Sequence, residues 1–457
     1  MPSSQEWKTF YEWGLAYGPL VMVEVMGQKM CIINSYTVAS DLLNDRSLIY
    51  SDRPAMPMKF NMGLQPYGPV YRKHRRAFQH GFNRRESNGY QHIQTRENIL
   101  LLEKLLINPS KYDEHLRTTT GAIIMMIGLG YPITENDRFV RVAEAAQLAM
   151  VSAARPGAYL VDLLPILKYV PEWFPGASFQ KVGREGRELS RELQEKPFAW
   201  AVKQFEDGNA LPSFFKDLME NKEVASDDPA EAQHIIQCAT AVMYATGADT
   251  ILASTLTFIL AMLYAPHVAQ EELDRVVGDR LPTYADQESL PYINAIVKES
   301  LRWELVIPLG VPHKSTEDDV YNGYFIPAGT IMIANQWGIS HDAQVFEDPF
   351  EFCPERFLNK ESPLPDPSTI AFGWGRRICP GRFLAENSLW LHVATMLASF
   401  HILPAVGADG KEIIPPREYT SGMASRPLPF PCRIIPRSAA AVDHIKQSVA
   451  SLPESYM

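Results

Sequence analysis

One segment near the C-terminal end, residues 372–381, constrains the fold of this chain more than any other. It places Cys379 in a loop with three glycines and two adjacent arginines, directly before a helical pattern over residues 382–400. Glycines allow positive φ angles and let a ligand approach the backbone closely. The N–H groups of such a loop and the positive end of a helix favour a thiolate at Cys379. The sequence therefore predicts a fold that presents a thiolate from a tight loop.

The same loop carries a group that binds carboxylates. Arg377 lies two positions before Cys379, and the planar guanidinium of arginine binds carboxylates through paired hydrogen bonds. A thiolate beside such an arginine suits haem, which offers an iron atom and two propionates. The alternative is a buried structural cysteine in a glycine-rich turn.

Phe372, Gly375, Arg377, Cys379 and Gly381 fill every fixed position of the pattern Phe-x-x-Gly-x-Arg-x-Cys-x-Gly. This string resembles the haem-binding signature of the cytochrome P450 family. By this resemblance Cys379 is the axial ligand of the iron, and electron donation from its thiolate promotes O–O cleavage. The resemblance also implies that Phe372, Arg377 and Gly381 contact the haem.

A charged motif lies upstream of this loop. Glu299 and Arg302 are three positions apart in a segment with helical spacing of its apolar residues, so they share a helix face and can pair. An isolated pair of this kind is usually solvated and contributes little to stability. Arg356 follows at about the distance where the family supplies a second arginine. By resemblance, Glu299, Arg302 and Arg356 form a buried network with a structural role.

Residues 246–250 place an acid and a hydroxyl side by side within a long apolar stretch. Such polar groups are costly in an apolar helix unless they are used. The string resembles the oxygen-activation motif Ala/Gly-Gly-x-Asp/Glu-Thr of the family. By resemblance Thr250 takes part in oxygen activation and Asp249 helps to relay protons, while Thr246 stands where a smaller residue is usual. The alternative is a helix with a tolerated Gly247 and a capping acid.

Further haem contacts are expected from a basic segment at residues 71–76. It resembles the family helix in which Trp-x-x-x-Arg contacts a haem propionate, with Arg75 in place and Tyr71 where tryptophan is usual. His313 occupies a position where the family often has a propionate-binding Arg or His. A solvated basic helix and a structural histidine are the alternatives.

The substrate pocket is predicted only by family position. The candidates are Met56, Met58, Phe60, Ala245, Thr246, Ile307, Leu309 and Met423. They are largely apolar, and methionine packs adaptably, so we expect a small to medium lipophilic substrate such as a terpenoid, polyketide or aromatic secondary metabolite. Ordinary core packing is the alternative for each residue.

The organisation of the chain follows from the spread of these motifs. They run from Arg75 to Cys379 within 457 residues, which predicts one catalytic domain over residues 1–437 and a loose C-terminal tail over 438–457. Long helical patterns fill most of the region from residue 69 to 303, and short strand patterns lie near both ends. The predicted fold class is mainly α with small β-sheets. The resemblance implies the cytochrome P450 fold, a large helical domain with a minor β-rich region.

Composition narrows the environment and the partners. Five scattered cysteines argue against a disulfide scaffold and for a reducing compartment. A net charge of −10 argues against nucleic-acid binding. A local excess of arginine near the cysteine loop could steer an acidic electron donor. We expect a monomer.

Finer resemblance points to fungi. Residues 49–54, 163–171 and 311–314 are similar to secondary-metabolism enzymes of mushroom-forming fungi, often described as like O-methylsterigmatocystin oxidoreductase. Eukaryotic members usually begin with an anchor helix, and we expect this chain to lack one. Family habit nevertheless places it at the cytosolic face of the endoplasmic reticulum membrane, and without the anchor it would be soluble or peripherally bound.

The function implied by the resemblance is a haem-thiolate monooxygenase. It would use haem b, O₂ and electrons from NADPH that arrive through the FAD and FMN of cytochrome P450 reductase. One alternative is a peroxygenase or isomerase that needs no reductase, against which the intact Asp249-Thr250 pair argues. A non-enzymatic haem-binding protein would leave that pair without a role.

Overall fold

The computed structural model describes residues 4–54, 61–134, 137–153, 161, 165–264, 269–359 and 364–453. Most of these residues are helical. The helices are α1 (Glu6–Tyr17), α2 (Tyr36–Ala39), α3 (Ser47–Tyr50), α4 (Pro69–Phe82), α5 (Arg84–Gly89), α6 (Gln91–Ile107), α7 (Tyr112–Leu129), α8 (Arg138–Ala153), α9 (Ser178–Glu206), α10 (Phe214–Glu220), α11 (Pro229–Met262), α12 (Ala269–Val276), α13 (Pro291–Trp303), α14 (Gln336–Ser340), α15 (Ser368–Ala371), α16 (Arg382–Ser399) and α17 (Ala439–Ala450).

Short turns of tighter or wider helix connect these elements. The 3₁₀ turns are Met62–Leu64, Pro109–Lys111, Pro165–Tyr169, Lys222–Val224, Tyr284–Ser289, Pro354–Phe357 and Gly375–Arg377, and Ser40–Asp45 is π-helical. The last 3₁₀ turn lies inside the cysteine loop.

Three small sheets complete the described fold. The strands are β1 (Leu20–Val25), β2 (Gln28–Ile33), β3 (His313–Lys314), β4 (Asp319–Tyr321), β5 (Tyr324–Ile326), β6 (Ile331–Ala334), β7 (Phe400–Val406), β8 (Glu412–Ile413) and β9 (Cys432–Pro436). One sheet has the order β1-β2-β6-β3, β4 pairs with β5, and the third has the order β8-β7-β9. Strands β1 and β2 form a hairpin around Met26 and Gly27, which both have positive φ.

Helix α11 organises the core because it packs against α4, α7, α8, α9, α13 and α16. It begins at Pro229, and the carboxylate of Asp228 caps it by accepting hydrogen bonds from the N–H groups of Ala230 and Glu231. Among the described helices, α11 is the one with the length and apolar composition to cross a membrane, but 67% of its most apolar window is buried. It is therefore a core helix in this fold.

The chain after residue 437 corrects one expectation. The predicted loose tail is instead α17, which packs against α6 and buries Ala441 and Ile445. Ser438 caps this helix by accepting a hydrogen bond from the N–H of Ala441 at 3.1 Å. Apolar residues at positions 441 and 445 are one helical turn apart, a spacing that gives a short helix a face to bury.

Candidate active site

The cysteine loop is held closed by its own backbone. The N–H of Cys379 donates to the carbonyl oxygen of Phe372 at 2.8 Å. Gly375 has a φ of 53°, and its N–H donates to Oδ1 of Asn44 at 2.6 Å. A Cβ at Gly375 would lie 2.1 Å from the carbonyl oxygen of Leu43, so only glycine fits there. The loop is therefore rigid where it meets the N-terminal part of the chain.

The Cys379 side chain is half-buried at the end of this loop. Burial raises the pKa of the Cys379 thiol, whereas a hydrogen bond from the N–H of Gly381 and the cations Arg75 and Arg382 lower it. A Cβ at Gly381 would meet no described protein atom within 4 Å. The N–H group and the two cations are the groups that would favour a thiolate bound to a metal.

Helix α4 presents the two haem candidates predicted from the basic segment. The hydroxyl of Tyr71 donates to the carbonyl oxygen of Arg376 at 2.6 Å, and the guanidinium of Arg377 lies 3.8 Å from the centre of the Tyr71 ring. Arg75 donates to the carbonyl oxygen of Ile378, next to the cysteine. Both side chains therefore reach the cysteine loop, and the hydroxyl proton of Tyr71 is engaged in a hydrogen bond to a backbone carbonyl.

Arg377 lies in a buried pocket beside the loop. It is 7% exposed and donates to the carbonyl oxygens of Ser51 and Gln65, each at 2.7 Å. Burial lowers the pKa of Arg377. No carboxylate pairs with its guanidinium among the described residues, which leaves its charge available to an anion.

Arg53 is a second buried cation in the same place, and we had not assigned it a role from the sequence. It is 4% exposed and donates to the carbonyl oxygens of Val311 and Pro312 at 2.6 and 2.9 Å. Burial and then repulsion from Arg377 lower the pKa of Arg53 to about 9. The only signal in the sequence was its place in the segment 49–54, which had pointed to a fungal origin rather than to a site.

His313 is the third buried side chain of this group. It is buried in β3, and its Nδ1 is 2.7 Å from the carbonyl oxygen of Tyr50. Burial, together with Arg53 and Arg377, holds the pKa of His313 well below its usual range. Asp52, the acid that also attracts the two arginines, is paired with Lys314 at 2.9 Å. The cluster of Arg53, His313 and Arg377 therefore carries excess positive charge.

Helix α11 carries the acid and the hydroxyl on adjacent residues. Oγ1 of Thr250 donates to the carbonyl oxygen of Thr246 at 2.9 Å, and Oγ1 of Thr246 donates to that of Val242 at 2.8 Å. Asp249 faces Arg117 of α7, with Oδ1 and Nη1 3.6 Å apart. Residues 246–250 are half-buried in a helix that is mostly buried on either side. This segment is therefore the part of α11 that faces open space.

Gly247 of α11 packs against a neighbouring helix. A Cβ there would lie 2.8 Å from Cδ1 of Ile124, on α7. The absence of a side chain at Gly247 thus allows α7 and α11 to pack closely.

Glu299, Arg302 and Arg356 come together as a buried network. Glu299 and Arg302 are 0% exposed, and the carboxylate accepts from Nε and Nη2 of Arg302 at 2.7 and 2.8 Å. Arg356 donates to the same carboxylate at 3.2 Å, as does the N–H of Cys353 at 2.8 Å. The remaining donors of Arg302 reach backbone carbonyls. This arrangement satisfies both buried ions.

The predicted pocket residues fall into three groups. Met56, Met58 and Phe60 lie outside the described residues. Ala245 is buried in the core around α7 and α11, whereas Thr246 is half-buried. Ile307, Leu309 and Met423 are half-buried, and the N–H of Ser425 donates to the carbonyl oxygen of Val306 at 2.7 Å. That bond places the segments of Ile307 and Met423 side by side.

Comparison with known proteins identifies the family. The model of the family named Cytochrome P450 matches residues 4–430. A cytochrome P450 monooxygenase of Armillaria gallica is 42% identical over 442 residues, which cover 94% of this chain and 87% of the relative. The chain belongs to the cytochrome P450 family. Another P450 monooxygenase, from Ampulloclitocybe clavipes, is 39% identical over 462 residues that cover 98% of this chain and 85% of that relative.

The P450 fold is also found by comparison with solved structures. A zebrafish cytochrome P450 with abiraterone superposes with a TM-score of 0.77 at 22% identity, covering 95% of this chain and 100% of that one. The mainly helical P450 fold, the P450 monooxygenase class and the similarity to fungal enzymes are therefore confirmed.

The P450 family implies a haem with its iron, and the described residues fit that group. Two buried arginines and a histidine form a cluster with excess positive charge, as the two propionates require. A half-buried cysteine lies two residues from Arg377 and could hold the iron.

Proposed function

We propose that the protein is a haem-thiolate monooxygenase that hydroxylates a small to medium lipophilic substrate. It would use O₂ and electrons from NADPH, delivered by the FAD and FMN of a reductase. The observation that carries this proposal is the buried cluster of Arg53, His313 and Arg377 beside Cys379. Two buried arginines match the two propionates of haem, and the cysteine two residues from Arg377 could hold its iron.

In this function Cys379 would hold the iron, and the cluster of Arg53, His313 and Arg377 would hold the propionates. When bound, haem supplies the redox chemistry that inserts one oxygen atom into a C–H bond. Thr250 holds a hydroxyl proton at the inner face of α11, on the carbonyl oxygen of Thr246. Asp249, at the next position, would carry protons from solvent toward it.

The surface near the cysteine loop supports a transient complex with the reductase. Arg72 and Arg376 are exposed cations, and no carboxylate pairs with either among the described residues. Positive surface charge steers an acidic partner and raises its association rate. A reductase that brings electrons to the thiolate side would meet this surface first.

The substrate and the cellular location rest on more general arguments. Ile307, Leu309 and Met423 are apolar and half-buried on neighbouring segments, which supports a lipophilic substrate of secondary metabolism. Family habit supports the cytosolic face of the endoplasmic reticulum membrane, and we propose a monomer.

The experiment for the haem site is the absorption spectrum of the reduced protein with carbon monoxide. The wild type should show the strongly red-shifted Soret band of thiolate-ligated haem. Cys379→Ser should lose that band, whereas Cys353→Ser, a second half-buried cysteine, should retain it. A thiolate spectrum in Cys379→Ser would contradict the assignment.

The experiment for the reaction class compares turnover with NADPH and reductase against turnover with a peroxide alone. A monooxygenase requires NADPH and the reductase. Activity with peroxide that does not rise on addition of NADPH and reductase would favour the peroxygenase or isomerase alternative. Haem binding without turnover of any lipophilic compound in a broad screen would favour the non-enzymatic one.

The role of the hydroxyl is tested with Thr250→Ala. We expect NADPH consumption to continue while product per NADPH falls by roughly tenfold or more, because general acid–base groups contribute at least that much. Ser254→Ala is a matched control, since its hydroxyl makes the same backbone bond one turn later, to the carbonyl oxygen of Thr250 at 3.1 Å. Equal coupling in the two variants would remove Thr250 from the mechanism.

A further inference from the structure

The carboxylate of Asp249 is turned away from the hydroxyl that it is proposed to serve. Successive residues of a helix are about 100° apart around its axis, so Asp249 and Thr250 point in different directions. Thr250 donates to the carbonyl oxygens of Thr246 and Gly247 at 2.9 and 3.3 Å. Asp249 instead contacts Arg117 at 3.6 Å. Arg117, a residue of another helix, therefore sets the position of the Asp249 carboxylate.

Arg117 is shared by carboxylates from three helices. Besides Asp249 on α11, its guanidinium lies 3.6 Å from Asp113 on α7 and 3.8 Å from Glu144 on α8. The four side chains are between 27% and 49% exposed, so water reaches all of them. Arg117 is thus one cation that faces three carboxylates. A change in the position of its guanidinium alters the electrostatic field at each carboxylate.

A nearby phenol reports the same excess of negative charge. Tyr244 lies on α11, five residues before Asp249, and is 5% exposed. Burial raises the pKa of Tyr244, and the carboxylates Glu144, Asp137 and Asp249 raise it further. Without Arg117, Asp249 would therefore be surrounded by like charges, which favour its displacement.

We propose that Arg117 is a positioning residue for proton delivery. It holds Asp249 at a part-exposed position between α7, α8 and α11, where protons from solvent can reach the carboxylate. Glu144 competes for the same guanidinium, so the position of α8 sets how firmly Asp249 is held. This inference rests on the proposed function, in which Asp249 relays protons to Thr250.

The test begins with Arg117→Gln, which removes the charge and keeps a polar side chain. Product per NADPH should fall roughly fivefold, the size of effect expected for one part-exposed ion pair. The solvent deuterium isotope effect on kcat should rise, because proton delivery becomes slower. The KM for substrate should stay within about twofold. Arg117→Lys should recover most of the coupling, since it retains the cation.

Three further variants make the result specific. Asp249→Asn should uncouple at least as strongly as Arg117→Gln, and the double variant should add little, because both act through one carboxylate. Glu144→Gln should leave coupling equal to or better than wild type, since it removes a competitor for Arg117. Arg138→Gln is the control: it breaks an exposed pair between α8 and α9, Arg138 to Glu192 at 3.2 Å.

A readout independent of turnover is hydrogen exchange in α8. Arg117 connects α8 to α11 through Glu144, so exchange over residues 138–153 should accelerate in Arg117→Gln and Glu144→Gln. Arg117→Lys should exchange like the wild type there. All variants should show the same carbon monoxide spectrum, which reports an intact haem site.

The outcomes separate this inference from the function beneath it. If Asp249→Asn uncouples and Arg117→Gln does not, the role of Arg117 is wrong and the proton relay stands. If Asp249→Asn itself retains full coupling, the relay through Asp249 is wrong as well. A third outcome is that Arg117→Gln uncouples the reaction while Arg117→Lys fails to restore coupling and the isotope effect stays unchanged. That result would show that Arg117 has only a structural role.

Discussion

At the residue scale, the most demanding groups in this protein are buried ions. Glu299 and Arg302 are fully buried, and Arg53 and Arg377 nearly so. The charges of Glu299 and Arg302 balance each other, and the Glu299 carboxylate accepts four hydrogen bonds. The second pair has only backbone carbonyls as its described acceptors. This contrast is what we expect if the first pair is structural and the second binds a ligand.

Removing the shared carboxylate should be severely destabilising. Glu299→Gln leaves Arg302 and Arg356 buried without a counter-charge, and breaking a buried pair costs about 3–5 kcal/mol. The free energy of unfolding in urea measures this loss. Glu172→Gln is the control, because its pair with Arg184 is nearly half exposed and should contribute less than about 1 kcal/mol. Equal losses in the two variants would contradict the structural role.

Buried histidines should make the protein less stable in mild acid. Burial lowers the pKa of His392 to about 4, whereas an unfolded histidine titrates near 6.5. Between these values the unfolded state binds a proton that the folded state refuses, so stability falls as pH decreases from about 6.5 toward 4. The urea midpoint of His392→Gln should depend less steeply on pH than that of the wild type. His92→Gln, at an exposed site, is the control, and identical slopes in the wild type and His392→Gln would contradict the argument.

At the element scale, the decisive contact is the one between α7 and α11. Gly247 brings Ile124 close to the α11 backbone, and Gly128 on α7 faces Met243 in the same interface. Residues 246–250 are a half-buried segment of α11 at this contact, between stretches of the helix that are mostly buried. The position of Asp249 beside Arg117 depends on the same contact.

A methyl group at Gly247 tests this packing. Alanine favours a helix by about 1 kcal/mol over glycine, but its Cβ would lie 2.8 Å from Cδ1 of Ile124. Overpacking costs about 1–3 kcal/mol, so Gly247→Ala should be less stable than Gly183→Ala by roughly that amount. Gly183 is an exposed position of α9 with no atom within 4 Å of an added Cβ. Urea unfolding of both variants makes the comparison, and equal stabilities would show that the interface is loose.

At the scale of the whole molecule, the C-terminal helix closes the large core. Ile445 of α17 is fully buried in the cluster that also contains residues from α6, α11, α13 and α16. The carbonyl oxygen of Pro453, beyond the helix, accepts a hydrogen bond from Arg96 of α6. The chain up to Pro453 is thus integrated into the folded body.

Shortening this side chain should therefore weaken the whole fold. Ile445→Ala should lower the free energy of unfolding by about 2–5 kcal/mol, as for other fully buried aliphatic side chains. Gln447→Ala, on the exposed face of α17, should change it by no more than about 0.5 kcal/mol. If the segment were a loose tail, both substitutions would change the free energy of unfolding by the same small amount.

The family, the fold class and the candidate thiolate could be read from the sequence, because the residues around Cys379 and the motifs of α11 and α13 are local strings. Other features depend on contacts between distant segments. Arg53 meets Arg377 only because the N-terminal part of the chain packs under the cysteine loop, and Gly247 proved to face Ile124. Arg117 lies 132 positions before Asp249, and no local pattern connects them. The order of residues determines the local motifs, whereas the packing of the helices determines which charged residues pair.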